Sequence, residues 1–71
     1  MVEILGEKYG LSKREKDVLA LLLGGKKNKE IESALFLSSS TVRNHISSLY
    51  GKIGIDSRGQ LTSLALKLRK P

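Results

Sequence analysis

Cysteine is absent from this chain, so neither a disulfide framework nor a thiolate metal site can staple it. Its core must be purely apolar. Aromatics number three, two Tyr and one Phe, too few for the stacking platform of a single-strand binder. Tyr9 and Tyr50 are therefore expected to pack rather than stack. No apolar run approaches the roughly 18 residues that cross a bilayer. The opening Met1-Val2-Glu3-Ile4 also lacks the basic region of a secretory signal, so the expectation is a soluble, cytoplasmic protein with no membrane partner. A chain of 71 residues makes one small domain. At a radius of gyration of roughly 11 Å it leaves no room for a cavity that encloses a substrate. No acid, base and nucleophile stand at catalytic spacing. The sequence reads as a non-enzyme, without catalytic residues, metal or cofactor.

Acidic side chains are scarce in the second half. Residues 1–32 carry seven basic and six acidic groups, whereas residues 33–71 carry six basic groups against Asp56 alone. Between residues 35 and 55 there is no carboxylate at all. Such a surface suits a polyanion, although a charge excess by itself also fits a solvated face.

What the chain does have is helical punctuation. Ser12-Lys13-Arg14-Glu15 is a capping box, and Val18, Leu19, Leu22 and Leu23 follow at helical spacing until Gly24-Gly25 ends the run. Asn28 is expected to cap a second helix of about two turns, with Ile31 and Leu35 inward. Phe36-Leu37 separates it from the hydroxyl-rich Ser38-Ser39-Ser40-Thr41, where a third helix starts near Ser39. Val42, Ile46, Leu49 and Ile53 form its inner stripe. Ser40, Arg43, Asn44, Ser47 and Gly51 fall on the opposite side of the wheel.

Ser57-Arg58-Gly59-Gln60 offers another capping box, ahead of a fourth stripe of Leu61, Leu64, Ala65 and Leu68, with Lys67, Arg69 and Lys70 at the helix end. Leu66 projects to the other side with Thr62 and Ser63. His45, the only histidine, lies on the inward side of the third helix. No second ligand or nucleophile is spaced for it, so a packed, hydrogen-bonded role is expected. Residues 1–10 show no clear period and read as an arm of uncertain structure. The whole is an all-α, four-helix bundle containing a helix-turn-helix.

The outer face of the third helix carries the side chains that read duplex DNA. Arg can donate two hydrogen bonds to O6 and N7 of guanine, Asn can pair with N6 and N7 of adenine, and Ser can serve either role at short range. The alternative is a protein-interaction module whose basic face docks an acidic partner, such as a receiver domain or an RNA polymerase subunit.

The strings Leu11-Ser12-Lys13-Arg14-Glu15, Asn28-Lys29-Glu30-Ile31, Ser38-Ser39-Ser40-Thr41-Val42-Arg43-Asn44-His45 and Lys52-Ile53-Gly54-Ile55-Asp56-Ser57-Arg58 closely resemble the LuxR-type, or GerE-like, helix-turn-helix domain. The resemblance covers residue 11 to about residue 68, and residues 11–71 are assigned to that domain. It implies a four-helix DNA-binding domain of a bacterial transcription regulator, commonly part of a response regulator or autoinducer sensor. It further implies that Arg43, Asn44 and Ser47 face the bases and that Asn28, Lys29, Ser38, Ser40 and Thr41 grip phosphates. Lys52 joins that phosphate set. The family pairs through its last helix, which implies a weak homodimer centred on Thr62 and Leu66, with a receiver or sensor domain and RNA polymerase as further partners. Glu15 and Arg58 match positions that make internal polar contacts. Five positions depart from the pattern: Asp56 stands where Lys or another non-acidic residue near the DNA backbone is usual, Gly51 weakens the third helix, and three more lie in or beside the second helix. Glu32 replaces a small alanine, Ala34 replaces a polar residue, and Phe36 occupies a turn position often held by glycine.

Overall fold

The Ser12 capping box closes in both directions: Ser12 Oγ accepts from the Glu15 N–H at 3.1 Å, and Glu15 Oε1 accepts from the Ser12 N–H at 2.8 Å. This cap starts the helix against which the rest of the molecule is assembled. The structure is a computed structural model and describes residues 1–68. Arg69 and Lys70, expected at the end of the last helix, lie outside the described residues. Five helices follow in order: α1 (Val2–Tyr9), α2 (Lys13–Leu23), α3 (Asn28–Leu35), α4 (Ser39–Ile53) and α5 (Arg58–Leu68). The all-α expectation holds, and the count rises from four to five because residues 1–10 contribute α1.

The extra helix has a physical basis that lacks a periodic signature. Gly10 takes the left-handed conformation at φ 64°, and the Leu11 N–H reaches back to the Gly6 carbonyl at 2.9 Å, which closes the last turn. Glu3 near the start and Lys8 near the end suit the helix dipole. Only Leu5 and Gly6 are buried, so the apolar signal is a single leucine rather than a stripe.

α2 touches all four other helices, and α3 packs on α4. The core between them comprises Leu5, Leu11, Val18, Leu19, Leu22, Ile31, Val42, Leu49, Ile53 and Leu61. Each fully buried Leu, Ile or Val contributes about 1.5 to 3 kcal/mol by leaving water. Tyr9 and Tyr50 pack against this core as half-buried residues. Burial raises the Tyr50 hydroxyl above its usual range, opposed by the nearby Arg58 charge. No helix among the described residues is long and apolar enough to cross a membrane.

The caps differ in detail from the sequence reading. Lys27, not Asn28, occupies the N-cap of α3, because Glu30 supplies the bond from within the first turn by accepting from the Lys27 N–H at 2.7 Å. At the start of α5, Ser57 Oγ accepts from the Gln60 N–H at 3.3 Å, while Gln60 Oε1 accepts from Asp56 one residue earlier than a reciprocal box requires. α2 ends at Gly24, and the left-handed residue is Gly25 at φ 82°.

Candidate nucleic-acid interface

α3 and α4 are joined by residues 36–38, which gives a short helix, a tight turn and a longer helix. Phe36 closes α3 in the left-handed conformation at φ 57°, the only positive-φ residue other than glycine among the described residues. A side chain there costs about 1 to 2 kcal/mol relative to the right-handed region. The phenyl ring recovers little of it, because Phe36 is 94% exposed. Ile31 is fully buried in spite of the neighbouring Glu32, which is half-buried, and Ala34 faces solvent.

α4 opens on Ser38. Its hydroxyl accepts from the Thr41 N–H at 3.2 Å and donates to Thr41 Oγ1 at 2.9 Å, so the hydrogen of the Thr41 hydroxyl remains free to point outward. The next ladder bond runs from the Val42 N–H to the Ser38 carbonyl. The N–H groups of Ser39 and Ser40 consequently have no partner among the described residues, which is the arrangement that attracts an anion to a helix start. Ser40 is exposed beside them, and Asn28 and Lys29 are exposed at the start of α3.

Along α4 the inner stripe of Val42, Leu49 and Ile53 is buried, and Ile46 is half-buried beside it. Arg43, Asn44 and Ser47 are exposed on the opposite side, and none has a hydrogen-bond or ion-pair partner among the described residues. The fold therefore brings these three together on one open face next to the free amides of the helix start. His45 is half-buried as expected for its side of the wheel, but the hydrogen bond anticipated for it is absent among the described residues. Thr62 and Leu66 belong to α5. Both are exposed, Leu66 at 60%, and the Thr62 hydroxyl donates to the Arg58 carbonyl at 3.2 Å.

Lys52 occupies a different environment from the other basic residue of α4. Its Nζ donates to Glu15 Oε1 at 2.8 Å and to the Gly10 carbonyl at 3.4 Å. Glu15 is 4% exposed, and its Oε2 accepts from the Ser48 hydroxyl as well. The hydrogen bond from Lys52, followed by that from Ser48, lowers the Glu15 carboxyl from an ordinary 4.5 to about 2, against the opposing effect of burial. Arg58 likewise turns inward and donates to the Leu22 carbonyl at 2.8 Å, near the end of α2. Ser48 escaped sequence reasoning because its partner is 33 residues distant. Ser39 escaped it because its contribution is a backbone N–H rather than a side chain.

Residues 9–65 match the model of the family described as bacterial regulatory proteins, luxR family. The chain belongs to the luxR family. Its helix-turn-helix is accordingly that family's DNA-binding domain of transcription regulators. The match begins as α1 ends, so α1 is an addition to the matched region rather than part of it. The chain is 48% identical over 59 residues to the transcriptional regulatory protein YhcZ of Bacillus subtilis, covering 83% of this chain and 28% of YhcZ. It is 47% identical over 58 residues to the spore germination protein GerE of the same organism, covering 82% of this chain and 78% of GerE. Similarity to the DNA-binding transcriptional activator DevR/DosR of Mycobacterium tuberculosis is 38% over 61 residues, covering 86% of this chain and 28% of that protein. The chain thus spans little more than a quarter of two of these luxR-family relatives and most of the third.

Proposed function

We propose that this luxR-family domain reads duplex DNA by sequence, with α4 in the major groove. Arg43, Asn44 and Ser47 meet base edges, and Asn28, Lys29, Ser38, Ser40 and Thr41 hold phosphates. One observation carries this reading: a carboxylate-free helix face presents an Arg, an Asn and a Ser with no intramolecular partner, directly beside unsatisfied helix-start amides. A partner that supplies base-edge acceptors and phosphate oxygens satisfies all of them together. Lys52 is left out of the phosphate set because its charge is already engaged by Glu15.

Two copies pair weakly through Thr62 and Leu66 of α5, since a patch on one short helix is far below the area of a stable interface. DNA completes the pairing, and the preferred site is an imperfect palindrome. A receiver or sensor domain and RNA polymerase are further partners of this reading, and it operates in the cytoplasm. Its support is the match to about a quarter of longer regulators.

Selection of bound duplexes from a random pool at a stated salt concentration tests the proposal. The expected product is one enriched, near-palindromic motif, bound with a log K against log[salt] slope near −5 for about six neutralised phosphates per dimer. Recovery of no motif with a slope near zero would overturn it and favour a basic face that docks an acidic protein.

A further inference from the structure

The core stripe of α4 is apolar, and apolar contacts resist separation of two helices better than they resist rotation of one about its own axis. Rotation matters for a reading helix. A turn of about 15° carries a guanidinium held roughly 9 Å from the axis through roughly 2 Å. A hydrogen bond accepts only a few tenths of an ångström around its optimum of about 2.9 Å. Something directional must therefore index α4 against the body of the domain.

The Glu15 carboxylate is placed to do this. It is buried at the α2–α4 contact and takes three donors from fixed directions: the Ser12 N–H of its own cap, the Ser48 hydroxyl and the Lys52 ammonium. Ser48 and Lys52 stand one turn apart on a single flank of α4, on average about a third of a turn around the axis from Arg43, Asn44 and Ser47, with Asn44 the nearest of the three and Arg43 the farthest. Lys52 also reaches the Gly10 carbonyl, so the end of the α1 turn joins the same anchor. We infer that Glu15 is a positioning residue for base recognition: through Ser48 and Lys52 it sets the rotation of α4, and hence where Arg43 and Asn44 meet the bases. The inference rests on the DNA-reading proposal above. It assigns the Lys52 charge to specificity inside the fold rather than to the DNA backbone.

The test compares Glu15→Gln, Lys52→Met and Lys52→Arg with Leu5→Val, a core substitution in α1 that lowers stability away from the α2–α4 contact. Thermal melting fixes a temperature at which all are folded. Affinity is then measured for the selected duplex, for the same duplex changed at the base pair read by Arg43, and for random duplex, across a salt series. Glu15→Gln and Lys52→Met are expected to lower the ratio of selected to changed duplex about tenfold with the salt slope unchanged. Lys52→Arg, which keeps charge and donor, should hold the ratio, as should Leu5→Val. If Glu15→Gln does not fold, Lys52→Met and Ser48→Ala decide the matter. Ratios within twofold of the parent in these variants would overturn the inference, and so would a salt slope shallower by about one in Lys52→Met, the mark of a phosphate contact. A parent protein that selects no duplex overturns the DNA reading itself, and a parent that selects while the variants keep its ratio overturns only the positioning role.

Discussion

The two sides of α4 differ in how their polar groups are satisfied. On the flank toward α2, Ser48 and Lys52 end on a buried carboxylate that is itself tied to a helix cap. On the outer face, Arg43, Asn44 and Ser47 end in solvent. Polar chemistry of the first kind is bound up with the stability of the domain, because removing a donor leaves the buried Glu15 carboxylate short of a partner. Polar chemistry of the second kind costs the fold nothing to change and is available to a ligand. One helix thus carries polarity satisfied within the fold and polarity open to solvent side by side, and a substitution that moves stability without affinity, or the reverse, tells them apart.

The largest effect should come from Glu15→Ala, which removes the carboxylate half of the capping box and the shared acceptor of Ser48 and Lys52. A loss of about 2 kcal/mol in unfolding free energy is expected by urea titration, whereas Ser47→Ala on the outer face should stay within about 0.5 kcal/mol. Equal losses at both positions would erase the distinction. Arg43→Ala should leave the urea midpoint in place and weaken the selected duplex by about 1 to 3 kcal/mol, with relaxed preference at one base pair, most plausibly a G·C pair. A loss that is equal on selected and random duplex would reassign Arg43 to the phosphates.

Acid sharpens the comparison further. Because the folded Glu15 carboxyl lies at about 2, below its ordinary 4.5, its stabilising contribution is complete above about pH 5 and declines as pH falls through 4.5 toward 2. Allowing for solvent screening of the half-exposed Lys52, about 2 kcal/mol should disappear over that window. Melting temperature followed between pH 2 and 6 should show a steeper acid limb in the parent than in Glu15→Gln. Parallel limbs would mean that the carboxylate is not held ionised. The smallest effect concerns the turn between α3 and α4. Phe36→Gly relieves a left-handed side chain that packs against almost nothing, and a gain of about 1 kcal/mol is expected in thermal unfolding. A loss instead would show that the ring is packed in solution.

Much of this arrangement is legible in the sequence because it is local. The Ser12–Glu15 box, the stripes of α2 and α4 and the hydroxyl-rich entry to α4 are relations between residues three or four apart, and they formed as read. So did the outward grouping of Arg43, Asn44 and Ser47, which needs only a helical period and one apolar side. The helix α1 was not legible, because a single buried leucine carries no period and its last turn depends on backbone conformation at Gly10. The N-cap of α3 was misplaced by one residue, because Glu30 supplies the bond that a cap side chain usually provides.

Sequence alone determined the class of the domain, its helices from α2 onward and the chemistry of its outward face, since each follows from short-range spacing, capping and the absence of acids between residues 35 and 55. Only the tertiary structure decided what the charged residues are for. Glu15 reads in the chain as a cap at a position of internal polar contacts with no partner named, and Lys52 as a phosphate contact of the basic half. They meet across 37 residues of sequence, at 2.8 Å, because α4 packs on α2. No local rule contains that meeting. It depends on how α4 packs against α2, a contact between stretches remote in sequence that no short-range spacing encodes.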